Sequence, residues 1–110
     1  MKTMIVLLAI MNVLAEKQKE VLQTLLSMVE FSEKEKGCLS YCISCDIEDK
    51  NVFNLISTWE TRQHLDLHMR TERFSVLLGT KSLLCEPLKM KIFTVSDSEG
   101  IEAVESARNK

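Results

Sequence analysis

Residues 4 to 13, MIVLLAIMNV, are apolar at every position except Asn12. In an extended strand alternate side chains point to opposite faces. Met4, Val6, Leu8 and Ile10 therefore line one side, and Ile5, Leu7, Ala9 and Met11 the other. Both rows are apolar, which predicts a strand covered on both sides. The period then changes. Val21, Leu22, Leu25, Leu26, Met28 and Val29 recur at helical spacing among Glu and Lys, predicting an amphipathic helix over residues 16–36. Gly37, just after Lys34 and Lys36, sits where a helix-closing glycine is expected. Residues 38–46 and 52–60 read as two strands joined by Ile47-Glu48-Asp49-Lys50-Asn51, a polar connection of hairpin length. Thr61 can cap a short helix to Met69, and Thr71 a second one marked by Phe74, Leu77 and Leu78. A last strand is expected over 84–95, with the only proline, Pro87, near its start. Residues 98–108 read as a short exposed helix with a frayed end.

The order β-α-β-β-α-α-β predicts an α+β, ferredoxin-like fold: an antiparallel sheet with helices on one face. Helices on one face can hide only one row of the first strand. A second copy of the sheet is the simplest cover for the other, because apolar patches of that size are rare on monomers. A two-fold homodimer follows as an expectation. Residues 1–96 form the expected domain, with 97–110 as a C-terminal extension, a short helix or frayed tail.

Composition narrows the function. The formal net charge is −2 and the 14 basic residues are scattered, so no stripe exists to follow a phosphate backbone, and nucleic acid is not an expected partner. The apolar N-terminal run is too short to span a bilayer and flows directly into an amphipathic helix, so a first strand is expected over a signal peptide. Cysteines stand at 38, 42, 45 and 85. Cys42 and Cys45 face opposite ways on a strand, which spoils a CxxC metal or redox reading. Reduced, buried cysteines in a cytoplasmic protein are expected instead.

Three segments in order carry a family resemblance: E35-K-G-C-L-S-Y41, F53-N-L-I-S-T-W59-E-T and H64-L-D-L-H68-M-R-T-E-R-F74. Together they resemble the antibiotic biosynthesis monooxygenase (ABM) family of small dimeric α+β barrels, which includes quinol monooxygenase-like members. The resemblance covers about residues 4 to 95. It departs from the family at Ser57, where members often carry an acid. Leu55 replaces an asparagine that polyketide-oxidising relatives use. The haem-degrading branch uses an asparagine and a histidine where this chain holds Ala9 and Leu78, so no axial iron ligand is evident.

The resemblance implies a cofactor-independent monooxygenase acting on a small aromatic or quinol-like substrate, with no cofactor and no metal. Trp59 and His68 are the expected catalytic residues: Trp59 would orient the ring, its indole N–H holding a substrate oxygen, and His68 would move a proton. Each also has a plain reading, Trp59 as the largest core side chain and His68 as a structural histidine bonded to a carbonyl. Tyr41 is expected to line an apolar pocket beside Trp59 or to pack in the dimer sheet, and Phe31 and Phe74 to wall that pocket or simply to fill the core. His64 and His68 share a helix face, but no third ligand completes a zinc site, and His64 is expected in solvent. The alternatives are a non-catalytic dimeric binding module for a small molecule, or an isomerase of a small metabolite.

Overall fold

The computed structural model describes residues 3–110. Strand β1 runs Met4–Asn12, helix α1 Gln18–Ser32, β2 Cys38–Cys45, β3 Val52–Trp59, α2 Arg62–Met69, α3 Glu72–Gly79, β4 Lys89–Val95 and α4 Ile101–Arg108. The sheet order is β2-β3-β1-β4, and each neighbouring pair is antiparallel. This is the ferredoxin-like α+β arrangement the sequence predicts.

The register explains how one row of β1 becomes the core. Ile5, Leu7, Ala9 and Met11 pair with Trp59, Ser57, Leu55 and Phe53 of β3, and cross-strand partners share a face. All eight are buried. The same face receives Val21, Leu25 and Met28 of α1, Leu65 of α2, and Phe74 and Leu77 of α3. The opposite row of β1, Met4 to Asn12, is only half-buried. Ile56 and Phe93, which pair with Leu8 and Val6, stand exposed on that open face.

Thr61 and Thr71 cap their helices as expected. The Thr61 hydroxyl accepts from the His64 N–H at 3.1 Å, and that of Thr71 from the Phe74 N–H at 3.2 Å. Several boundaries differ from the sequence reading. A 3₁₀ turn, Ala15–Lys17, precedes α1, and the helix ends at Ser32, well before Gly37. Tight i→i−3 bonds then carry the chain onward: Lys34 N–H to the Phe31 carbonyl, Glu35 to Ser32, and Cys38 to Glu35. Gly37 (φ +83°) opens β2 instead of closing α1, and its carbonyl accepts from the Glu60 N–H at 2.8 Å. Strand β4 begins at Lys89, not at 84, because Pro87 has no N–H for a ladder; only an isolated Val13–Leu84 bridge precedes it. Helix α4 begins at Ile101 and buries none of its residues.

The cysteines also correct the sequence reading. All four are free, but Cys42, Cys45 and Cys85 are exposed and Cys38 is half-buried. Strand β2 is a sheet edge, so its side chains have neighbours on one flank only. Cys42, paired with Ile56, lies on the open face.

Candidate functional site

His68 occupies the last turn of α2, a position fixed by the Thr61 cap that sets the phase of the helix. With Leu65 it forms the helix's buried stripe, and its side chain is 0% exposed. Around the imidazole stand three aromatic rings from three other elements. The Trp59 ring, at the end of β3, lies 4.6 Å away, centroid to centroid, tilted by 30°. Tyr41 of β2 and Phe74 of α3 meet it edge-on at 5.6 and 5.3 Å. The structure thus brings together four of the five side chains singled out in the sequence.

The imidazole's two nitrogens differ. Nδ1 lies 2.8 Å from Oε2 of Glu35, which the turn after α1 delivers to this spot. Nε2 is buried without a hydrogen-bond partner among the described residues, as are the hydroxyls of Tyr41 and Ser32. A buried polar atom left unpaired costs about 1–3 kcal/mol. The Tyr41 and Ser32 hydroxyls face each other, whereas the imidazole nitrogen faces no polar group among the described residues, and that sets the cluster apart from ordinary core. Burial pushes the Tyr41 phenol up to about 12; the Ser32 hydroxyl offsets part of that rise, and the Glu35 charge adds to it. Burial likewise raises the Cys38 thiol to about 11, with the Glu35 carboxylate contributing.

Trp59 is fully buried, and its indole N–H donates to the Ser57 hydroxyl at 2.9 Å. That donor is therefore engaged within the chain, in contrast to its expected role of holding a substrate oxygen. Ser57 thereby takes a structural task.

Phe31 stays outside the cluster. Its ring is exposed under the Arg73 guanidinium, whose carbon sits 3.3 Å from the ring centroid, in a groove between α1 and α3. His64 is also not where expected: it is half-buried, its Nδ1 is 2.8 Å from the Thr61 hydroxyl, and its ring packs over Gly37. Among the described residues no three His, Cys, Asp or Glu side chains converge as metal ligands.

An apolar cavity of about 360 Å³ does exist, but at the other end of the sheet. Leu22, Leu25, Ile43 and Phe53 line it, with Gln18 and Lys50 at the rim. Phe53 and Trp59 stand roughly 20 Å apart along β3 at strand rise, so this cavity is separate from the imidazole. A shallower depression lies over Glu35, bounded by Thr71, Glu72 and Arg73. Glu35 was absent from the residues singled out in the sequence. Its one signal was a place in the E35-K-G-C segment, and its partner lies 33 residues further on.

Fold and cluster together define a small α+β protein with a buried histidine–carboxylate pair among aromatic rings. The chain belongs to the antibiotic biosynthesis monooxygenase family, whose model matches residues 4–77. It is 31% identical to "Putative monooxygenase YcnE" of Bacillus subtilis over 86 residues, 77% of this chain and 90% of that protein. It is 28% identical over 85 residues, 76% of this chain, to the uncharacterized protein sll1783 of Synechocystis, of whose length the match spans 58%. The solved structure of Rv0793 from Mycobacterium tuberculosis superimposes with a TM-score of 0.81 at 17% identity, covering 88% of this chain and 99% of that one. That last likeness speaks for the fold.

Proposed function

We propose that this protein is a cofactor-independent monooxygenase acting on a small, electron-rich aromatic such as a quinol or an anthrone. Family membership supports the reaction class, and one observation carries the site: the unpartnered Nε2 of His68, buried among Trp59, Tyr41 and Phe74. A neutral imidazole nitrogen without a proton is an acceptor. Placed in a dry aromatic cluster, it suits removal of a weakly acidic proton from a flat, apolar substrate.

For an anthrone the balance closes without a further reactant. His68 Nε2 takes the acidic C–H proton, and the resulting carbanion passes its electrons to O₂. A C–O bond forms to give a peroxide, whose O–O bond then breaks. One oxygen stays as the new carbonyl and the other leaves as water with the two hydrogens of the original CH₂. Trp59 holds the ring plane, and Tyr41 and Phe74 wall the site. The imidazole is sealed from solvent, so substrate entry must move one of these rings aside.

The protein acts as a homodimer in this reading, its open apolar sheet face covered by a second copy, and its free thiols suit the cytoplasm. Oxygen uptake by metal-stripped protein across a panel of quinols and anthrones tests the proposal. Uptake above autoxidation, reduced about 10²-fold or more in His68→Ala and also lost in Trp59→Ala, is the expected result. The sealed imidazole favours a second reading, a binding module without turnover. Trp59 fluorescence that responds to the same compounds without any uptake would select it.

A further inference from the structure

We infer that Glu35 is a positioning residue: it fixes His68 as the Nδ1–H tautomer and gives the buried imidazole its connection to solvent. The inference rests on the proton-acceptor reading of His68, but its structural half stands apart from turnover. A neutral imidazole carries one N–H, and a carboxylate only accepts. With Nδ1 at 2.8 Å from Glu35 Oε2, a proton on Nδ1 makes a charge-assisted hydrogen bond. The other tautomer would set two lone pairs against each other at that distance. It would also bury an N–H at Nε2 with nothing among the described residues to receive it. Both consequences favour the same assignment, which leaves the Nε2 lone pair facing the aromatic cluster.

Burial gives the pair a direction. The His68 side chain is 0% exposed and that of Glu35 is 28% exposed, beneath the depression formed by Thr71, Glu72 and Arg73. Protons that reach Nε2 from a substrate are matched by loss of the Nδ1 proton through the carboxylate to water. The α2–α3 turn is held for this by the Thr71 hydroxyl, which donates to the His68 carbonyl at 2.7 Å. A histidine kept only for packing has no need of a carboxylate that reaches solvent on one side and an unpaired nitrogen on the other.

Nitrogen-15 NMR of the imidazole rings tests this directly, because the chain has only two histidines and His64→Gln identifies the other. The wild-type protein should show His68 as the Nδ1–H tautomer. Glu35→Ala should shift the population toward Nε2–H and slow exchange of the ring proton with water, while circular dichroism and the melting temperature confirm a folded protein. An Nε2–H tautomer in the wild type, or a tautomer and exchange rate unmoved in folded Glu35→Ala, would overturn the inference. Where oxygen uptake is present, folded Glu35→Ala should lower kcat by about 10²-fold with KM little changed; an unchanged kcat would refute the positioning role. If uptake is absent but the tautomer is as stated, the oxygenase reading fails while the assignment of Glu35 holds.

Discussion

At the scale of single residues, unpaired atoms and close approaches carry the meaning. The buried Tyr41 hydroxyl faces that of Ser32 without a well-formed hydrogen bond, so Tyr41→Phe should change stability at pH 8 by no more than about 1 kcal/mol. Its phenol titrates near 12 when folded and near 10 when unfolded. The unfolded chain therefore loses that proton first as pH rises. The associated stability is fully present below pH 10 and is lost through about 12; Tyr41→Phe should flatten that loss in urea titrations. Gly37 holds φ +83°, and a Cβ there would fall inside the His64 ring. Gly37→Ala should cost at least about 1–2 kcal/mol in chemical denaturation. Gly79 is the contrast: it has ordinary helical φ and open space around it, and Gly79→Ala should stabilise by about 0.5–1 kcal/mol. The family resemblance singles out His68, Trp59, Tyr41 and Phe74, but that their rings meet depends on the β2–β3 register, which no local pattern carries. Glu35 was not legible in the sequence, since its role comes from a contact across 33 residues. Phe31 lies outside the cluster because the buried row of α1 runs Val21, Leu25, Met28, Ser32, and residue 31 falls about 100° away from it.

At the scale of elements, periodicity located each strand and α-helix among the described residues but neither 3₁₀ helix, Ala15–Lys17 or Thr80–Leu83, and the ends were decided by chemistry that periodicity does not register. Pro87 delays β4, and i→i−3 turns finish α1 early to bring Glu35 beside α2. Cysteine burial was misread for a similar reason. Apolar character predicts burial only where a neighbour exists, and β2 is an edge strand whose flank and outer face lack one. The thiols then separate by environment. Cys38, raised from 9.0 to about 11, holds roughly 100-fold less thiolate than an ordinary thiol at neutral pH. Mass spectrometry after brief iodoacetamide treatment should find Cys38 the slowest of the four to be alkylated; equal rates would contradict its placement.

For the whole molecule, the open sheet face is the dominant feature. Val6, Leu8, Ile10, Ile56 and Phe93 form an apolar surface that no helix among the described residues covers. A second copy provides the cover in the proposed homodimer. Ile56→Lys places a charge at the middle of that face and should shift sedimentation velocity from dimer to monomer. If that dimer forms, Cys42, on the same face, should alkylate more slowly than Cys85 despite its exposure in the single chain. The need for a cover was legible from β1 alone, whose two rows are both apolar.

The proposed reaction begins when His68 removes a proton from an aromatic substrate. The most direct measurement is an anaerobic spectrophotometric titration of metal-stripped protein with a dithranol-type anthrone, followed by admission of air. The wild-type protein should convert bound ligand to its coloured anion before oxygen is present, His68→Gln should bind it without that change, and air should then discharge the anion to quinone. Bound ligand that stays neutral in the wild type, or oxidation that proceeds equally in His68→Gln, would contradict the proposed reaction.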